Sequence, residues 1–245
     1  MSYCVGILLD AGLVMVSDSR TSAGVDRVAT FQKMFVFEEP GERLFVLLTA
    51  GNLSITQAVV SVLNDGIEGK NDRANILAVP SMYQAARTVG HALREVYNED
   101  GASLKAHDIE FNASLIFGGQ VKGGRLRLFQ IYAPGNFIEA SADTSYFQIG
   151  EVKYGKPVID RIITPQTGLI EAAKCALISF DSTMRSNVSV GPPLDLMIYR
   201  RDSLKSGFSV RLGDDDPYLQ AIREGWGEAI YKAFHHIAHD PGWNI

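Results

Sequence analysis

The sequence has 245 residues, of which 46% are apolar and 21% charged, an ordinary globular balance that excludes a disordered chain. A formal charge of −5 gives no electrostatic reason to expect nucleic acid or an anionic membrane as a partner. Two cysteines far apart in apolar surroundings, Cys4 and Cys175, exclude a disulfide scaffold and fit a reducing compartment. Neither end reads as a signal peptide, and LFVLLTAG is far too short to span a bilayer, so the expected location is the cytoplasm.

Strand patterning begins at once. YCVGILLD and LVMVSDSR flank the tight turn Asp10-Ala11-Gly12 and read as a hairpin. KMFVFEEPGERLFVLLTAG repeats the arrangement around Glu39-Pro40-Gly41-Glu42. After Gly51 the spacing becomes helical, with Ile55, Val59 and Leu63 four apart. A Gly/Asn/Asp-rich loop over residues 66–74 follows, and Pro80 is expected in the first turn of a second helix running to residue 98. Strands return in EFNASLIFGG, RLRLFQIYAPG and SYFQIG, then helices over 152–163 and 169–184. PLDLMIYRRD and GFSVRLGD are the last strands, and Asp216-Pro217 caps and opens a final helix. Short hairpin turns make the sheets mainly antiparallel, and grouped helices cover them as layers. RLFVLLTA and ASLIFGG are apolar on both faces, so each sheet is buried on both sides. The expectation is an α+β fold, a four-layer α/β/β/α sandwich, with residues 1–245 as one domain. Arg125 and Arg127 alternate on a strand and read as an exposed edge or a subunit contact.

The start of the chain carries the chemistry. An initiator methionine is usually removed when a small residue follows, and Ser2 is small. Removal leaves a hydroxyl beside a free α-amine of pKa about 7.7–8.0, a nucleophile with its own general base. Lys33 stands on the same strand face as Phe35 and Phe37, where it must lie at an edge, snorkel outward, or be buried with a partner. Asp18, ending the second strand, is the candidate partner. A charged Lys33 near the N-terminus lowers the amine's pKa by repulsion, and Asp18 keeps the lysine charged. LLTAGNLSITQ runs from strand through Gly51 into a helix, where outward backbone N–H groups suit an oxyanion. Each feature also has a plainer reading: an exposed lysine, a surface aspartate, an ordinary strand-to-helix turn.

Together they resemble a known family. The immediate first strand, Asp18-Ser19-Arg20-Thr21-Ser22-Ala23-Gly24, Lys33 and Thr49-Ala50-Gly51 are similar to a proteasome β-type subunit of the N-terminal nucleophile hydrolase superfamily. More closely, GILLDAGLVMVSDSRTSAGVD, LLTAGNLSITQ and QIGEVKYGKPVIDR resemble the bacterial proteasome-like Anbu family. The resemblance implies a peptidase in which Ser2 attacks the scissile carbonyl, Lys33 tunes its amine, Asp18 holds Lys33 and the Gly51 N–H binds the oxyanion. It implies that Ser22 pairs substrate backbone by strand addition and that Ser189 supports the N-terminus. It also implies a homo-oligomer, ring or spiral, no cofactor, a peptide substrate, and an unfoldase or activator for folded substrates. Three departures stand out: Ser2 where proteasomes have threonine, Ser186 where the family has an aspartate three residues before the last serine, and Glu151 in place of a serine after Gly150. Glu151 either anchors the amine or blocks it. The alternatives are an N-terminal nucleophile amidase acting on a small peptide or modified amide, and a non-catalytic proteasome-like scaffold.

His235 and His239 share a helix face at metal-ligand spacing, with His236 and Asp240 beside them, but cations at a helix C-terminus suit its dipole and no metal is expected. Asp214-Asp215-Asp216 reads as capping and solvation, and His91 and His107 as a helix face and a loop.

Overall fold

A computed structural model describes residues 2–22, 28–70 and 75–237. Met1, Ala23 and Gly24, residues 71–74 of the expected loop, and His239 with Asp240 lie outside the described residues.

β1 (Tyr3–Leu9) and β2 (Gly12–Asp18) form the first hairpin, Cys4 facing Ser17 and Leu9 facing Gly12. A short ribbon of β3 (Arg20–Ser22) and β4 (Val28–Thr30) follows, with Ser22 opposite Val28, a pairing too brief to show in the apolar pattern. β5 (Met34–Glu39) and β6 (Arg43–Gly51) make the second large hairpin. Helices α1 (Leu53–Ile67) and α2 (Met82–Ala106) come next, then β7 (Ala113–Val121), β8 (Arg127–Tyr132), β9 (Phe137–Glu139) and β10 (Tyr146–Gly150). The chain continues through α3 (Lys156–Ile162), α4 (Leu169–Ser186), β11 (Leu194–Arg200), β12 (Phe208–Leu212) and α5 (Pro217–His236).

Every pairing is antiparallel. One sheet has the order β10-β1-β2-β11-β12, the other β5-β6-β7-β8-β9. Period-2 alternation explains the layers. From β1 and β2, Tyr3, Val5, Ile7, Val14 and Val16 face α3, α4 and α5, packing on Ile159, Ala176, Phe180 and Leu219. The alternate residues Cys4, Leu13 and Met15 meet Val46, Leu48, Ile116 and Leu128 of the other sheet. That sheet's outer face, with Phe45, Leu47, Leu115 and Phe117, packs under α1 and α2. Three apolar layers between four layers of secondary structure make the α/β/β/α sandwich. Each fully buried aliphatic or aromatic side chain contributes about 1.5–3 kcal/mol.

Several boundaries differ from the sequence reading. Pro80 lies outside the first turn; Ser81 is the cap, its hydroxyl accepting from Gln84 N–H, and α2 starts at Met82. α2 also runs eight residues past the expected end at 98, because Leu104 adds to the core beneath it. α3 begins at Lys156 instead of 152, because the segment before it is folded against the start of β1. No helix among the described residues is long and apolar enough to cross a membrane.

Candidate active site

Residue 2 is fixed from three sides. The backbone of β1 pairs with β2 and β10, Tyr3 facing Gly150. Glu151 N–H donates to the Ser2 carbonyl at 2.8 Å, and Tyr3 N–H donates to Asp18 Oδ1 at 3.0 Å. Gly150 permits this approach: its φ is +82°, and a Cβ there would stand 1.9 Å from the Ser2 carbonyl oxygen. The Tyr3 ring stacks at a tilt on Phe180, and its hydroxyl meets Ser179 Oγ at 2.6 Å and Gln148. The end of β1 is therefore anchored up to Ser2, which is itself buried.

Asp18 and Lys33 form a buried ion pair, Lys33 Nζ 2.8 Å from Asp18 Oδ1, with Asp18 fully inaccessible and Lys33 3% exposed. Nζ donates also to the carbonyl of Arg20 at 2.5 Å. Burial pushes the Asp18 carboxyl up, opposed by the Lys33 ammonium and the amides of Tyr3 and Gly191. The same carboxylate oxygen receives the amide next to Ser2 and the lysine, so the pair is positioned on the backbone beside Ser2. Of the three readings open for Lys33, edge, snorkel or buried pair, the third is the one found.

Gly51 reaches the same place from the other sheet. Cys4 Sγ donates to the carbonyl of Thr49 at 3.5 Å, and Thr49 N–H donates to the carbonyl of Lys33 at 2.9 Å. Cys4 lies two residues from Ser2 and Thr49 two from Gly51, so these contacts register the end of β6 against the start of β1. Gly51 has φ +113°, and a Cβ would clash with the Asn112 carbonyl at 2.4 Å. Asn52 caps α1, its Oδ1 accepting from Ser54 N–H at 3.0 Å. Both cysteines are free and buried, and burial pushes both thiols up, which disfavours the thiolate form.

Ser189 stands on the remaining side. Arg20, whose carbonyl holds Lys33, sends its guanidinium to the Val188 carbonyl at 3.0 Å. Ser186 ends α4 exposed to solvent. Ser189 and Glu151 are joined instead through Asn187, which the sequence reading passed over. Its Oδ1 accepts from Ser189 N–H at 2.9 Å and its Nδ2 donates to Glu151 Oε2 at 2.8 Å. A polar residue after a helix has too many ordinary uses for its type alone to reveal this one.

The remaining candidates fall elsewhere. His235 packs edge-on against Tyr231 and Phe234, and no group of metal-ligating side chains occurs among the described residues. Asp216 caps α5, accepting from Tyr218 and Leu219 N–H, and Arg127 pairs with Glu139 across β8 and β9. His107 caps the end of α2, and His91 lies beside Arg94 on its outer face.

Solved structures match this arrangement over the full length. The Anbu (ancestral beta-subunit) from Yersinia bercovieri is 49% identical, with 99% of each chain covered and a TM-score of 0.90. The chain belongs to the Anbu family. The helical assembly of the Anbu complex from Pseudomonas aeruginosa is 47% identical, covering 99% of this chain and 100% of that one at a TM-score of 0.93. A Gly-1 mutant of Anbu from Hyphomicrobium sp. strain MC1 is 47% identical over 100% of both chains, at a TM-score of 0.91. No family model and no curated protein matches the chain. Anbu membership makes the four-layer sandwich a proteasome-like, N-terminal nucleophile hydrolase fold.

Proposed function

We propose that this Anbu protein is a self-assembling N-terminal-serine peptidase whose nucleophile is Ser2, exposed when Met1 is removed. The observation that carries this reading is the Asp18 carboxylate shared between Lys33 Nζ and the Tyr3 amide at the foot of Ser2. A structural ion pair needs no such tie to the second residue, and burying one is energetically unrewarding by itself.

In the proposed reaction the α-amine takes the Ser2 hydroxyl proton as the Oγ–carbon bond forms. The resulting ammonium returns that proton to the leaving nitrogen as the peptide bond breaks, and water then hydrolyses the acyl-enzyme. Lys33 is the charge that keeps the amine free to accept, Asp18 holds Lys33, and the Gly51 N–H receives the oxyanion. Removing one such donor typically costs about 10²–10³ in rate. Ser189 supports the N-terminus, and Ser22, beyond the Lys33-bound Arg20, offers backbone to an extended peptide.

Self-association is part of the reading. A relative forms a helical assembly, and the far half of α5 leaves the core with Ile230, Tyr231 and Phe234 exposed. An apolar stripe of this kind marks an interaction surface. The test is Ser2→Ala, which still permits methionine removal. Hydrolysis of unstructured fluorogenic peptides is expected to vanish in that variant, and hydrolysis at the parent rate would overturn the assignment.

A further inference from the structure

We infer that the buried Glu151 carboxylate is a positioning group for the Ser2 α-amine, the counter-charge that orients it and stabilises the ammonium formed when it accepts a proton. The inference rests on the proposed nucleophile and assigns the one charged group near Ser2 that the reaction leaves unused.

Glu151 is placed there by its backbone. Its N–H holds the Ser2 carbonyl at 2.8 Å, so its side chain leaves the main chain directly beside residue 2. That side chain is 7% exposed. A buried carboxylate has about four lone-pair sites to satisfy and is costly to leave without donors or a cation. Asn187 Nδ2 serves Oε2 at 2.8 Å, and it has to face Glu151 because Asn187 Oδ1 is engaged by Ser189 N–H. Oε1 has Lys153 Nζ at 3.7 Å, on a side chain 71% exposed and better hydrated than paired. Among the described residues, the cation nearest this buried carboxylate is therefore a solvated one.

The other charged groups around the start of β1 are already committed. Lys33, reaching in before β5, is held by Asp18 at the end of β2 and by the Arg20 carbonyl. The Arg20 guanidinium is on the Val188 carbonyl, and Asp195 on β11 faces Arg211 on β12. Asp18, the other anion beside Ser2, already balances the Lys33 ammonium, so Glu151 is the charge left to balance the α-ammonium that removal of Met1 creates. With Glu151 on the Ser189 side and Lys33 on the Asp18 side, the amine sits between a charge that raises its pKa and one that lowers it. That balance keeps it a base while giving the proton a place to wait.

The test titrates the amine directly. The methionine-free protein is reacted with trace acetic anhydride across a pH series, and α-acetylation is read by peptide mass spectrometry in the parent, Glu151→Gln and Lys153→Ala. Removing the carboxylate is expected to lower the amine's midpoint by about one pH unit or more. Removing the exposed Lys153 ammonium, a change that keeps the fold even if Glu151→Gln does not, is expected to move the midpoint upward. The acid limb of acylation by a β-lactone should move with each midpoint. Unchanged midpoints in both variants, or a downward shift in Lys153→Ala, would overturn the inference. Midpoints that shift as stated in a protein whose Ser2 is never acylated would sink the peptidase reading and leave the role of Glu151 standing. A purified chain that keeps Met1 would overturn both.

Discussion

At the residue scale, the site is built from charges that are expensive to bury and are therefore tied down. Lys33→Ala leaves the Asp18 carboxylate uncompensated, and breaking such a pair costs about 3–5 kcal/mol. The double variant Asp18→Asn with Lys33→Met replaces both charges and is expected to regain most of that stability in thermal unfolding, yet none of the proposed peptidase activity. Activity in the double variant would remove Lys33 from the mechanism. Asp195 behaves differently. Burial raises its carboxyl above the ordinary range, Arg211 only partly opposing this, and its Oδ2 is buried without a partner. A raised folded-state value means that ionisation destabilises the fold above that pKa, a penalty that disappears as both states become protonated. Asp195→Asn is accordingly expected to unfold at higher temperature than the parent at about pH 7, with the difference gone at about pH 3. A gain that persists in acid would contradict the sign. Asp18 and Lys33 were legible in the sequence because a charge inside an apolar strand demands a partner. Asn187 was not, since its importance comes entirely from where α4 happens to end.

At the element scale, the hairpins and the capped helices follow from local chemistry. Asp216 with Pro217 starts α5 as their types predict, and the turns after Leu9 and Glu39 fall where their residues place them. Local signals failed where packing decides. The ribbon of β3 and β4 spans three residues a side, too short for alternation to register, and α2 continues through Gly101 because its far turn still covers core. The late start of α3 has its cause at the start of β1: residues 150 and 151 are engaged with Ser2, and Gly155 lies against the Tyr3 hydroxyl. Gly150→Ala tests that coupling between an element boundary and the site. The Cβ meets the Ser2 carbonyl at 1.9 Å in a left-handed backbone, a strain of about 1–3 kcal/mol before any clash. Faster hydrogen exchange at the Tyr3 and Glu151 amides is expected, with lost activity and the other strands of the sheet protected as before. Unaltered exchange at both amides would mean that β10 does not hold the N-terminus.

At the scale of the whole molecule, four layers bury both faces of both sheets, and the candidate site lies where β1 begins and β6 ends. The sandwich was legible because two-sided apolar strands require a second sheet and covering helices. How copies associate was not, since ring and spiral differ in surfaces that one chain does not encode by periodicity. The exposed Ile230, Tyr231 and Phe234 at the end of α5 mark one such surface. Phe234→Asp is expected to shift sedimentation toward smaller species without altering the thermal stability of the subunit, and an unshifted profile would remove α5 from the assembly. The central claim is that Ser2 becomes an N-terminal nucleophile. It is tested most directly by the intact mass of the purified protein before and after a β-lactone. The account predicts a mass short by one methionine that rises by one inhibitor adduct, an adduct missing from Ser2→Ala. A mass that retains Met1, or a freed Ser2 that never takes the adduct, would contradict it.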